Sequence, residues 1–438
     1  MLLRLIQWKH INLQLWWPSP SLFPSAELKL SANAVLTDFD AATAALVYGP
    51  NRGHTPLRKQ LAQWLGLMYH NYSQAIEEDL VCIAGGASQN LANTLLRFTD
   101  PTYTRRIGMV EPTYFLACPV FKDCGRVDKM RGVPEDDQGI DLDFLKKAWD
   151  EADANAARIG GMDTPKFKTP SSGYEKIHKH GIYTMSLEHR HDLVRLAIEY
   201  DALIISDDVY DFLCWPQEMG KLSDGVRTSL PPRLVDINRK IDPKSKLGNT
   251  VSNGSFSNII APGTRVSWAQ GTLAFANFLA STGSTGSGGN PGHLASTFVW
   301  KMVSSGALEN HIRNTLIPCY SARYYGMVKS IRENLVPLGV RINAGNPFFT
   351  TAGVETAGGF LLSITLPKGL SNIPVLSKIA LEKYDFKFAY GKMFERASMG
   401  FGNTVRLCWA FHENEAIVKG IKRIRDMLVE QRESVPTS

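Results

Sequence analysis

No two cysteines in this chain stand at the C-x-x-C spacing that a zinc site or a redox pair needs. The six, Cys82, Cys118, Cys124, Cys214, Cys319 and Cys408, are scattered over 438 residues and read as thiols in a reducing compartment. A long apolar run is also lacking. The stretch Met1-Leu2-Leu3-Arg4-Leu5-Ile6-Gln7-Trp8 is apolar, but His10, Asn12 and Gln14 interrupt it before a bilayer could be spanned. No small-residue cleavage site follows. The expectation is a soluble, cytoplasmic protein with no membrane partner. Charge of one sign is not concentrated anywhere. The formal net charge of +6 is small for this length, so a mixed solvated surface is expected and no nucleic-acid face. Internal repeats are absent too. The matches of Asn71-Tyr72-Ser73 and Asn253-Gly254-Ser255 to the glycosylation pattern carry little weight in a cytosolic protein.

What is present is the composition of an ordinary large globular protein, 44% hydrophobic and 21% charged. The length is too great for one small core and suits a two-domain α/β enzyme. The first fifty residues, with Trp16-Trp17-Pro18-Ser19-Pro20, read as an extended arm able to cross a subunit boundary. Leu57, Leu61, Trp64 and Leu65 recur at helical spacing over 55–67. Short apolar strands are expected at 80–84, 106–110, 202–206, 266–269, 359–364 and 404–408. Helices are expected at 187–200 and 413–431, and the Gly/Ser run 281–292 reads as a flexible loop. Buried strands alternating with helices imply a mainly parallel sheet covered on both faces. The division expected is an arm over 1–45 that also forms part of the small domain, a large domain over 46–300 and a smaller α+β domain over 301–438.

Several residues carry chemistry. Gly86-Ala87-Ser88 follows a strand and opens a helix, where free backbone N–H groups and the helix dipole attract phosphate. A plain structural turn would look the same. Asp207 ends an apolar strand, and a carboxylate is rarely packing material there. The adjacent Asp208 suits a helix cap or a turn. Ser255, Ser257 and Arg265 offer two hydroxyls and a guanidinium, a common phosphate-binding set. Arg406 interrupts the apolar strand 404–408 and needs a partner, either a substrate carboxylate or a structural ion pair. Two weaker patterns fail. Gly283, Gly286, Gly288 and Gly289 lack the strand turn of a dinucleotide loop. In Glu188-His189-Arg190-His191 the two histidines fall on different helix faces.

In this order and spacing the motifs resemble the class I/II aminotransferases of pyridoxal-phosphate fold type I, over nearly the whole chain. The nearest likeness is to a fungal branch of aromatic-amino-acid and 2-aminoadipate aminotransferases, relatives of which serve in secondary metabolism. The fold so implied is α/β, with a seven-stranded, mainly parallel sheet in the large domain. The cofactor so implied is pyridoxal 5'-phosphate. The activity is transfer of an amino group between an amino acid and a 2-oxo acid. Gly254-Ser255-Phe256-Ser257-Asn258-Ile259-Ile260-Ala261-Pro262-Gly263-Thr264-Arg265 is similar to the family's cofactor-anchoring loop. The resemblance gives Tyr114, in Glu111-Pro112-Thr113-Tyr114, a stacking role on the pyridine ring; a core or surface tyrosine would fit that motif equally. It gives Asp207 the ring nitrogen, Tyr210 the 3-hydroxyl, and Gly86, Ala87, Ser88, Ser255, Ser257 and Arg265 the phosphate. Arg406 takes the substrate carboxylate, and Tyr48, in Tyr48-Gly49-Pro50, reaches the phosphate of the partner in a homodimer.

Three departures follow. Asn258 stands where the family has the lysine that forms the Schiff base. An amide nitrogen cannot condense with an aldehyde, because its lone pair is delocalised into the carbonyl. Gly181-Ile182-Tyr183-Thr184 runs directly into Met185-Ser186-Leu187-Glu188, without the Asn-Pro-[Ser/Thr]-Gly segment that supplies an asparagine to the 3-hydroxyl. Leu15-Trp16 replaces the Arg-Gly often found before Trp-Pro. Transamination is therefore expected to be lost or lowered by several orders of magnitude. The alternative is an inactive cofactor-binding homologue or a dimer partner.

Overall fold

The computed structural model describes residues 10–70, 75–136, 139–184, 189–220, 230–343, 348–350, 353–367, 369–370, 372–393 and 401–433. Its centre is a seven-stranded sheet in the order Val81–Ala84, Ser267–Gln270, Thr250–Ser255, Ala202–Asp207, His180–Thr184, Arg106–Val110, Met130–Val133. Ser267–Gln270 runs antiparallel to both neighbours, and every other pairing is parallel. The expected strands at 106–110 and 404–408 coincide with those found, and the others agree to within a few residues.

These strands are apolar on both faces, and alternate residues serve different cores. Ile107, Tyr183, Leu203 and Ile205 pack with Leu91, Leu95 and Phe98 of the helix Ala87–Phe98. Ile182, Ala202 and Ile204 pack on the other face with Leu145, Trp149, Leu193 and Leu234. Three helices cover that second face, Leu142–Arg158, Arg190–Glu199 and Leu234–Ile241. The doubly wound α/β class expected from the sequence is the fold observed.

A second sheet of four antiparallel strands has the order Arg341–Asn343, Leu361–Thr365, Thr404–Cys408, Ala389–Tyr390. The helices Ile317–Asn334 and Asn414–Glu433 pack beside it, and their apolar faces join one large core with Leu57, Leu61 and Trp64.

Three expectations change. The first fifty residues are not simply extended, because Ser25–Leu36 and Phe39–Leu46 are helices, the second capped by Asp38 accepting from Ala41 N. Only the preceding part runs extended, and Ile11–Asn12 pairs in parallel with Phe386–Lys387. The Gly/Ser run 281–292 contains a short helix, Gly283–Gly286. Its hydroxyls hold it in place: Thr285 Oγ1 donates to Ala280 O at 2.9 Å and Ser284 Oγ to Asn93 Oδ1 at 2.8 Å. The helix expected over 187–200 is Arg190–Glu199, entered through His189 in the left-handed region. Met185 to Glu188, Asn71 to Ser73 and Met1 to Trp8 lie outside the described residues. Among the described residues no helix is long and apolar enough to cross a membrane, and no His/Cys/Asp/Glu group could hold a metal ion.

Candidate active site

In an open α/β sheet the crevice beyond the carboxyl ends of the strands is where ligands bind. Here that crevice is a cavity of about 1180 Å³. Residues from the ends of His180–Thr184, Ala202–Asp207 and Thr250–Ser255 line it on one side, and residues of the second sheet on the other. Ten of the twelve residues singled out from sequence line it together: Ala87, Ser88, Tyr114, Asp207, Tyr210, Ser255, Ser257, Asn258, Arg265 and Arg406.

Asp207 is the last residue of its strand and is buried. Tyr183 O–H donates to its Oδ2 at 2.5 Å, and Asn253 Nδ2 reaches its Oδ1 at 3.4 Å. Burial pushes the Asp207 carboxyl up to about 7; the Tyr183 bond opposes this and the charge of Asp208 adds to it. Asp208 points elsewhere. Its oxygens accept from Ser206 Oγ and Ser252 Oγ, each at 2.5 Å, beneath the cavity and not at any helix cap. Tyr210 lines the cavity with its ring edge on Phe360, and burial raises its hydroxyl well above the ordinary value.

At another wall the helix Ala87–Phe98 begins, with Ala87 and Ser88 at its open N-terminus. Gly86 does not itself line the cavity. It lies in the left-handed half of backbone space, φ 112°, and a Cβ there would overlap the Arg265 guanidinium. Glycine is what lets the arginine approach the helix end. Arg265 also has positive φ and donates from Nη1 to Pro262 O at 3.1 Å. Among the described residues no carboxylate pairs with it. Ser255 Oγ donates to Ser257 Oγ at 2.9 Å and accepts from Ser257 N at 3.1 Å. Two hydroxyls, a helix N-terminus and a guanidinium form an anion cradle.

Asn258 lies beside this cradle, in the turn after Thr250–Ser255. Its Nδ2 donates to Val209 O at 3.2 Å. Among the described residues no lysine lines the cavity. Arg406 reaches the cavity from the strand Thr404–Cys408 and donates from Nη2 to Pro112 O at 2.7 Å. Burial brings its guanidinium down to about 10, against the opposing influence of Glu135 and Tyr210. Its carbon sits 5.7 Å from the Trp16 ring, which in turn lies 5.2 Å from the Tyr114 ring.

Tyr48 is 88% exposed and is not brought into the cavity of its own chain. The sequence reading missed Tyr183, Asn253 and the arm residues Trp16, Trp17 and Pro18 as members of the site. Tyr183 could be placed only once the strand register was known. It pairs with Ile205 across the ladder, which puts it on the same face as Asp207 two residues on. The arm's place depends on contacts with residues near the other end of the chain, which no local signal reveals.

Fold and site together define a fold type I pyridoxal-phosphate architecture, and comparison with known proteins is more specific. The description "Aminotransferase class I and II" matches residues 23–346. An uncharacterized protein of Saccharomyces cerevisiae is 30% identical over 451 residues, covering 95% of this chain and 96% of its own. Aromatic-amino-acid aminotransferase 1 of Thermococcus litoralis is 28% identical, covering 94% of this chain and 87% of its own. Among solved structures, the multiple substrate aminotransferase of Thermococcus profundus superposes with a TM-score of 0.73 at 26% identity, over 99% of this chain and 95% of that one. The chain belongs to the class I and II aminotransferases, by family pyridoxal-phosphate-dependent transaminases.

Proposed function

We propose that the cavity binds pyridoxal 5'-phosphate together with an amino acid or 2-oxo acid, and that the substrate side chain is aromatic. The observation that carries this reading is the convergence of Asp207, the Ser255/Ser257/Arg265 cradle and Arg406 on one cavity. The cradle and the amides of Ala87 and Ser88 hold the phosphate. Asp207 ionises to hold a proton on the ring nitrogen, and Tyr183 keeps the carboxylate oriented. Tyr114 stacks on the ring and Tyr210 meets the 3-hydroxyl. Arg406 binds the substrate carboxylate. When bound, the cofactor supplies an electron-withdrawing ring that acidifies the substrate's α-carbon. Trp16 beside Arg406, and the name of the Thermococcus litoralis relative, support an aromatic side chain.

The donor set fits the cofactor's phosphate and ring nitrogen but not its aldehyde, since Asn258 offers an amide. Asn258 also cannot take a proton from carbon at neutral pH. Transamination by this chain is therefore set several orders of magnitude below that of a lysine-bearing relative. The hydrogen bond that the Asn258 side chain donates to Val209 O favours a second reading, a binding protein or a dimer partner of an active homologue. A homodimer is supported by the exposed Phe39, Leu46 and Tyr48, at 84%, 67% and 88%. The domain division at 45 and 300 and a cytoplasmic location belong to the same proposal.

The test is absorbance with added pyridoxal phosphate, before and after borohydride, on the natural chain and on Asn258→Lys. We expect reversible, phosphate-displaceable binding to the natural chain and a borohydride-fixed adduct only in the variant. A fixed adduct at the cavity of the natural chain would mean that another lysine serves. Rapid turnover of an amino donor with a 2-oxo acid by the natural chain would overturn the reading of Asn258.

A further inference from the structure

We propose that this site selects the aminated form of its cofactor, pyridoxamine 5'-phosphate, over the aldehyde form, and that Asn258 is the selecting residue. The inference rests on the reading of the cavity as a pyridoxal-phosphate site.

Val209 O is a carbonyl and can only accept, so the end of Asn258 that faces it at 3.2 Å must be the nitrogen. The other end, Oδ1, is then fixed as well. It has no hydrogen-bond partner among the described residues, and Asn258 lines the cavity. Oδ1 is an acceptor only. An amine or ammonium can donate to it, whereas an aldehyde oxygen is itself an acceptor and would face it lone pair to lone pair. Only the second hydrogen of Nδ2 is left for the aldehyde, and the nitrogen's position is already committed to Val209.

The absence of a lysine removes what would otherwise favour the aldehyde. An aldehyde is held most strongly when it condenses with a primary amine, and among the described residues none lines the cavity. The aldehyde form loses that contribution entirely. The aminated form never had it and loses nothing. Everything else is common to the two: the phosphate, its cradle of Ser255, Ser257 and Arg265, and the ring nitrogen opposite Asp207. The difference between the forms therefore falls at residue 258. A bound ammonium also meets a neutral amide there, where a lysine would set a further cation against it. The ligand is supplied by transamination of the aldehyde cofactor on another enzyme, in which an amino acid gives up its amino group and leaves as the 2-oxo acid, or by phosphorylation of free pyridoxamine.

Equilibrium dialysis of the natural chain against each form, counting only binding displaced by inorganic phosphate, tests this. Pyridoxamine phosphate should bind roughly tenfold or more tightly than pyridoxal phosphate, the size expected of one charge-assisted hydrogen bond. In Asn258→Lys the order should reverse, and the aldehyde should become fixed by borohydride. In Asn258→Leu, which restores neither acceptor nor amine, the two constants should come together. Equal constants in the natural chain, or tighter binding of the aldehyde, would overturn the selection while leaving the cofactor site intact. Binding of neither form would sink the cofactor site itself. A preference that survives in Asn258→Leu would show that the amide oxygen does not select.

Discussion

Asp207 and Asp208 are adjacent in sequence, yet only Asp207 lines the cavity. Asp208 is met by two serine hydroxyls. Asp207 has one tyrosine and a long contact to Asn253, so burial dominates and its carboxyl rises from 3.8 to about 7. A carboxyl whose folded value is raised contributes stability below its ordinary value, and loses it as pH climbs through the raised one. The cofactor-free chain should thus lose stability across the interval from 3.8 to about 7. Asp211, half-buried and accepting from Tyr69, is pushed up to about 7 by desolvation and contributes to the same slope. Asp207→Asn should flatten part of that dependence in thermal melts. Equal slopes in variant and natural chain would mean that Asp207 does not carry the proton. The Asn258→Lys variant adds a second expectation at this scale: a covalent adduct and a rise in transamination.

The anion cradle belongs to the scale of elements, since it needs one strand-to-helix turn and one loop to meet. Gly86→Val adds a side chain where the backbone is left-handed and where Arg265 lies. Binding of inorganic phosphate and of cofactor should weaken on the order of ten- to a hundredfold, the loss of an arginine–phosphate contact, with the far-ultraviolet circular dichroism unchanged. Undiminished binding would place the phosphate elsewhere. On the proposed reading, the sequence after His180–Thr184 lacks the segment that would bring an asparagine to the 3-hydroxyl. Asn258→Lys alone should therefore restore attachment more fully than rate, and full recovery of rate would show the shortened junction to be harmless. Much of this was legible beforehand. Strands such as 106–110 and 404–408 announce themselves by apolar runs, and the cradle by glycine, serine and arginine at fixed spacing. Tyr183 was not announced, because a tyrosine in an apolar strand carries no sign of which face it takes until the register is known. The helices of the first fifty residues were masked by their flanking Pro and Trp, although Asp38 is an ordinary N-cap.

For the whole molecule the first expectation is association. Phe39, Leu46 and Tyr48 stand exposed on neighbouring turns, and sedimentation should give the mass of two chains. Phe39→Glu with Leu46→Glu should return it to one, and a natural chain that sediments as one would remove Tyr48 from the site. The second concerns the arm that carries Trp16, Trp17 and Pro18 into the cavity wall. Ile11–Asn12 pairs with Phe386–Lys387, Leu13 O accepts from Cys408 N, Asn12 N donates to His412, and Ser21 donates to Glu413. Residues of the arm are thus held by residues as many as 400 positions further along the chain. On the ribosome the arm must wait, undocked, while nearly four hundred residues are added, and the wall of the site closes only once translation has passed Glu413. Chains stalled or cut short of that point should carry a formed parallel sheet and a protease-sensitive amino-terminal arm.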